Sequence, residues 1–180
     1  MIRAAKNSIG EALVWRLVRH ALTTHFSAVH VRGTAPHSEP SLPTIYCPNH
    51  SNWWDGYLCM MLARIVFHHE AYLMMEERNL ARYRFFTWAG VFGVDRDDGR
   101  AALAALDYAA DLLRDHPARS AYLFPQGTML PNERRPLRLY SGVARLAQRV
   151  GRVRIVPVAM RYEFLQEQRP DIFIRLGSAR

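Results

Sequence analysis

Two rhythms of apolar residues run along this chain. Between residues 2 and 25, Ile2, Ile9, Leu13, Leu17 and Leu22 fall near helical spacing, with Arg3, Lys6, Glu11, Arg16 and Arg19 on much of the remaining circumference. This predicts an amphipathic N-terminal helix within residues 1–26. Two-residue alternation over 28–32, closed by Gly33, predicts a strand, and the three prolines between Thr34 and Pro43 predict a loop. From there short apolar runs and helical patterns take turns. Strands are predicted at 44–47, 71–75, 91–95, 121–124, 154–160 and 171–176. Helices are predicted at 53–67, with Leu58, Met61, Leu62 and Ile65 at three-to-four spacing, and at 77–88, where basic and aromatic residues interleave. A third follows Asp98 to about Arg114 with Leu103, Leu106, Ala110 and Leu113 on one face, and a fourth passes through Val143, Leu146, Ala147 and Val150 to a Gly151 cap. About seven strands separated by about four helices imply crossover connections, hence an α/β fold with a mostly parallel mixed sheet flanked by helices.

Composition narrows the partners more than the fold. At 180 residues, 49% hydrophobic and 22% charged, the chain suits one domain, 1–180, with a proper core. Its abrupt end after residue 176 allows for a C-terminal extension in a longer protein. The excess of basic residues, +8, favours an anionic partner: nucleic acid, a membrane surface or a phosphorylated substrate. Cys47 and Cys59 lack CxxC spacing and sit in or beside apolar segments, so they read as buried thiols of a reducing compartment. No run approaches the ~20 apolar residues of a membrane span, and Arg16, Arg19 and His20 interrupt any signal-peptide centre. The expected location is the cytoplasm.

The chemistry gathers in Pro48-Asn49-His50-Ser51-Asn52-Trp53-Trp54-Asp55-Gly56. A hydroxyl is a poor nucleophile near neutral pH, and an imidazole that takes its proton speeds attack by roughly 10²- to 10⁴-fold. A carboxylate on the other ring nitrogen sets the tautomer and stabilises the imidazolium. His50 and Asp55 fit these two roles only if His50 lies in a loop and Asp55 in the first helical turn, because five positions on an ideal helix place side chains about 140° apart. Taken alone, H-x4-D equally fits a loop histidine followed by a helix-start carboxylate favoured by the macrodipole. A nucleophile elbow, H-E-x-x-H and a phosphate-binding Gly-Lys loop are all missing from the sequence. His68-His69-Glu70 reads as an exposed helix end, and no metal site is expected.

Four ordered segments make the pattern specific. They are Asn49-His50 with Asp55; Gly90-Val91-Phe92-Gly93-Val94-Asp95-Arg96; Phe124-Pro125-Gln126-Gly127-Thr128-Met129; and Ile155-Val156-Pro157-Val158-Ala159. Together they resemble the motifs of the glycerolipid acyltransferases typified by 1-acylglycerol-3-phosphate acyltransferase. The resemblance implies transfer of a fatty acyl group from acyl-CoA or acyl carrier protein, a co-substrate rather than a cofactor, to the hydroxyl of a lipid-type acceptor. His50 would be the general base and Asp55 its orienter, with Arg96, Gln126, Gly127 and Thr128 on the acceptor side. Backbone N–H groups near Gly127 would hold the oxyanion.

Two departures stand out: Gln126 replaces the family's Glu, and Met129 its Arg. A phosphate is then held more weakly, unless Arg134, Arg135 or Arg138 supplies the charge, while Gln suits a hydroxyl-rich neutral acceptor such as a glycosylated lipid. The alternative is a catalytically weak lipid-binding or scaffold protein on the same fold. Trp53 and Trp54 would line the acyl channel, face the membrane or pack in the core. With these motifs in place, the basic charge is assigned to an anionic membrane surface or to the CoA phosphates rather than to nucleic acid, and the protein to the peripheral cytoplasmic face of a membrane.

Overall fold

A computed structural model describes residues 1–33 and 42–180, so most of the loop expected over 34–43 lies outside the described residues. The helical elements are α1 (Ser8–His25), α2 (Asp55–Met61), α3 (Glu77–Arg82), α4 (Gly99–Leu113) and α5 (Gly142–Val150). The strands are β1 (Val29–Arg32), β2 (Thr44–Pro48), β3 (Glu70–Glu76), β4 (Val91–Val94), β5 (Arg119–Tyr122), β6 (Arg154–Glu163) and β7 (Asp171–Leu176). They form one seven-stranded sheet in the order β1-β7-β6-β2-β5-β3-β4. Every neighbouring pair is parallel except β6 with β7. The expected mostly parallel mixed sheet is therefore present.

Several boundaries differ from those the sequence predicts, each for a local reason. Residues 1–7 are extended rather than helical, because Gly93 N–H donates to Ile2 O, and Ala5 and Asn7 N–H donate to Thr87 O and Trp88 O. Asn7 then caps α1 by accepting from Gly10 N–H at 2.7 Å. Gly10 lets the helix touch the following layer, since a β-carbon there would stand 2.5 Å from Trp88 Cβ. The helix predicted over 53–67 begins at Asp55 and loosens into a π-helical turn, Leu62–Phe67, that ends at left-handed His68. The one predicted over 77–88 breaks at Tyr83 into α3 and a 3-10 turn, Arg84–Ala89. The strand predicted over 121–124 pairs two residues earlier, over Arg119–Tyr122; Leu123 N–H still donates to Tyr46 O, and Leu123 and Phe124 border the site.

Two apolar clusters pack on opposite faces of the sheet. Tyr46, Tyr122, Leu73, Val158, Met160 and Ile174 meet α1 and α2 on one face, and Ile45, Ala121, Tyr72 and Phe92 meet α4 and α5 on the other. The α1 seam is Val14, Val18 and Leu22, whereas Ile9, Leu13 and Leu17, expected on the same face as Leu22, are 75%, 56% and 40% exposed. Their stripe points outward. Among the described residues no helix is long and apolar enough to cross a membrane.

Candidate active site

The site is built where β2 ends. Pro48 cannot donate to the ladder, and Asn49 takes over with its side chain: Oδ1 accepts from Met160 N–H at 2.6 Å and Nδ2 donates to Met160 O at 3.0 Å. This amide extends the β2–β6 pairing by one residue and fixes the chain just before His50. The loop after β5 then grips the His50 backbone on both sides. His50 N–H donates to Gln126 Oε1 at 2.6 Å, and His50 O accepts from Leu130 N–H at 2.9 Å. The imidazole stacks on Phe124, with ring centroids 4.1 Å apart.

His50 Nδ1 donates to Asp55 Oδ2 at 2.9 Å. Asp55 opens α2 and is wholly buried. Its Oδ2 also accepts from Ser51 N–H at 2.7 Å and Asn52 N–H at 2.9 Å, and Oδ1 accepts from Tyr162 Oη at 2.5 Å. A buried carboxylate is tolerated only when its lone pairs are satisfied, and these donors satisfy them. Burial and the Asp55 charge push the Tyr162 phenol far above its ordinary range, so it stays protonated as a donor.

With Nδ1 bound to the carboxylate, Nε2 is left for the cavity of about 830 Å³ that His50 borders. Met60, Phe86, Leu103, Leu106 and Leu123 make most of its wall apolar. A volume of this order is typical of a ligand site. Its mouth carries Arg96 and Arg145 together with Glu76 and Asp97. Arg96 Nη2 stands 4.0 Å from Glu76 Oε2.

Gly127 has φ +65°, and a β-carbon there would lie 2.9 Å from the Tyr140 ring and 3.1 Å from Arg96 Nη1. Only glycine lets the second and third motif segments meet so closely. The Gly127 N–H is spent on Phe124 O at 3.0 Å. An oxyanion donor from this loop would therefore come from the following residues, of which Thr128 borders the cavity.

Of the residues expected on the acceptor side, Arg96, Gly127 and Thr128 line the same cavity as His50. The structure does not bring Gln126 there: its side chain is 5% exposed, braces the His50 backbone and borders a second cavity. Met129 lines the His50 cavity. Trp53 is half-exposed at the cavity, and Trp54 packs edge-on against Phe26. His69, expected to be exposed, is half-buried within 3.5 Å of Tyr46 Oη, and burial and Arg154 depress its basicity. Burial also pushes the Cys47 thiol up to about 12 and that of Cys59 upward, so neither offers a thiolate near neutral pH.

Sequence reasoning missed Tyr162 and the brace role of Gln126. The alternation Val156, Val158, Met160, Tyr162 does turn Tyr162 inward. Which carboxylate it meets, however, depends on the β2–β6 register, in which Pro48 pairs with Val158.

An imidazole oriented by a buried carboxylate, beside an apolar cavity at the ends of parallel strands, suits acyl transfer onto a hydroxyl. Residues 28–161 match the model of the family described as Acyltransferase, and the chain belongs to that family. It is an acyltransferase. The fold is similar to that of the 1-acyl-sn-glycerophosphate (LPA) acyltransferase PlsC from Thermotoga maritima, at TM-score 0.58 and 18% identity over 93% of this chain and 67% of that one. No curated protein matches the chain.

Proposed function

We propose that the protein transfers a fatty acyl group from a thioester donor to the hydroxyl of a lipid-type acceptor, with no cofactor and no covalent acyl-enzyme. The observation that carries this reading is the 2.9 Å contact of His50 Nδ1 with buried Asp55. Nε2 takes the acceptor's hydroxyl proton as its oxygen attacks the thioester carbonyl. The tetrahedral oxyanion meets N–H donors of the Thr128 segment, the C–S bond breaks, and the departing thiolate takes the proton back from the imidazolium. The saturated dyad favours turnover over the alternative of a catalytically weak scaffold.

The acceptor is a neutral, hydroxyl-rich lipid alcohol such as a glycosylated lipid. Support comes from the cavity mouth, where Glu76 and Asp97 match Arg96 and Arg145 in formal charge, and from Met129 in place of a cation. In a thiol-release assay with an acceptor panel, neutral glycolipid alcohols are expected to turn over faster than lysophosphatidate. The opposite preference rejects this acceptor class.

The outward stripe Ile9, Leu13 and Leu17, flanked by exposed Arg16, Arg19 and His20, supports attachment to the peripheral cytoplasmic face of an anionic membrane rather than to nucleic acid. Deleting α1 would also remove the buried Val14, Val18 and Leu22, so point variants are the cleaner test. Replacing Ile9, Leu13 and Leu17 together by Ser is expected to weaken sedimentation with phosphatidylglycerol-containing liposomes by at least about tenfold at unchanged Tm. Equal sedimentation rejects this face.

A further inference from the structure

Among the described residues, the second face of the sheet is covered only in part. α4 and α5 lie over the β2-β5-β3-β4 side. On this side of β6, β7 and β1, Ala159, Arg161, Phe173, Arg175, His30 and Arg32 are exposed and alternate with buried or half-buried residues. Strand register arranges them in rows. Arg161, Phe173 and His30 form one row, and Ala159, Arg175 and Arg32 form the next. A further row, Glu163 and Asp171, lies on the far side of the first.

The charges of the first row are answered by these acids: Arg161 pairs with Glu163, and His30 Nε2 lies 2.8 Å from Asp171 Oδ2. Those of the second row are not. Arg32 and Arg175 stand directly opposite one another on neighbouring strands, and among the described residues neither has a carboxylate partner. Like charges in such cross-strand positions oppose folding, so an anion between them would relieve a built-in repulsion. Ala159 is small and leaves room beside them.

The first two rows line a cavity of about 860 Å³ that is also bordered by Arg135 and by Asn49 and Gln126, the residues that hold His50. One row away from the arginine pair, roughly 7 Å along the strands, Phe173 is 38% exposed and stacks on His30 with ring centroids 4.7 Å apart. An aromatic platform beside a cationic pair recognises a base joined to phosphates. The acidic row beyond the platform repels phosphate, so a nucleotide would lie with its phosphates on the Arg175 row, which is level with the residue preceding His50. Two strand spacings, roughly 10 Å, separate β7 from β2, a gap that a pantetheine arm spans.

We propose that this open face of β6, β7 and β1 binds the nucleotide end of a coenzyme A thioester, the adenine on Phe173 and His30 and the phosphates on Arg32 and Arg175. The inference rests on the acyl-transfer reading and assigns its donor as coenzyme A rather than a carrier protein. The test is calorimetric titration of the full chain with adenosine 3′,5′-bisphosphate, which has neither pantetheine nor thioester. Binding is expected to weaken by about tenfold for Arg175→Glu and again for Arg32→Glu. Phe173→Ala is expected to lose the preference for the bisphosphate over pyrophosphate. All three side chains are exposed; Tm is expected to hold for Phe173→Ala and to hold or rise slightly for either single charge reversal, which sets Glu opposite the remaining Arg.

In turnover, Arg175→Glu is expected to raise KM for acyl-CoA and leave the rate with acyl-pantetheine unchanged. The proposal is overturned if the wild type does not bind the bisphosphate, or binds it equally after Arg175→Glu. It is also overturned if the charge reversals weaken only sedimentation with phosphatidylglycerol vesicles, or only turnover of acyl carrier protein. His50→Ala is expected to bind the bisphosphate as the wild type does. Full turnover by that variant would reject the acid-base reading and leave the nucleotide site standing.

Discussion

Replacing His50 by Ala is expected to lower kcat by about 10³-fold, within the range measured for loss of a positioned general base. The loss should be chemical rather than structural. The imidazole is a partly exposed side chain at the cavity edge. The backbone around it is held by Gln126, Leu130 and the Asn49 amide, none of which involves the ring. Asp55 loses one donor but keeps Ser51 and Asn52 N–H and the Tyr162 hydroxyl. The cost in stability should therefore stay near that of one hydrogen bond to a charged group, about 2 kcal/mol. Thiol release from acyl-CoA, read together with a melting curve, decides the matter. A folded variant within tenfold of wild-type kcat would mean that another group takes the hydroxyl proton.

Much of the fold is legible in the sequence because it depends on local rhythm. Alternation and apolar runs mark the strands, and spacing marks α2, α4 and α5. The errors arise where tertiary contacts override rhythm. Ile9, Leu13 and Leu17 have helical spacing, but so do Val14, Val18 and Leu22 one position further on, and only tertiary packing decides which of the two adjacent stripes is buried. Residues 1–7 continue the helical pattern, yet their backbone donors and acceptors are used by Gly93, Thr87 and Trp88, which only the folded chain brings near.

The candidate site divides the same way. His50 and Asp55 are five positions apart, so a loop and one helical turn suffice to join them. Gln126 is 76 positions from His50 and Tyr162 is 107 from Asp55. Their roles follow from the β2–β5 and β2–β6 pairings. The exchange of a family Glu for Gln126 also changes meaning in this light. The position needs an acceptor for a backbone N–H, which an amide oxygen supplies as well as a carboxylate does. A neutral residue there leaves the His50 brace intact.

Asp55→Asn is expected to lower kcat by about 10³-fold while leaving the fold in place, and Tyr162 explains why the two effects separate. The amide can set its oxygen where Oδ2 now accepts from His50, Ser51 and Asn52, since the reverse orientation would face its N–H groups toward three donors. Its nitrogen then meets Tyr162 Oη, and a hydroxyl can turn to accept. Geometry and tautomer survive, and what disappears is the negative charge beside the imidazolium. At about 4 Å between charge centres and an effective dielectric of 20, that charge is worth about 4 kcal/mol, or about 10³-fold in rate. Tyr162→Phe leaves one carboxylate oxygen without its donor and is expected to cost about 1–3 kcal/mol of stability and roughly tenfold in kcat. The double variant supplies the decisive number. If Tyr162 acts through Asp55, adding Tyr162→Phe to the Asp55→Asn protein should change kcat by less than about twofold, because no charge remains for the phenol to position. Additive losses would instead mean that the phenol acts on the reaction independently of the carboxylate.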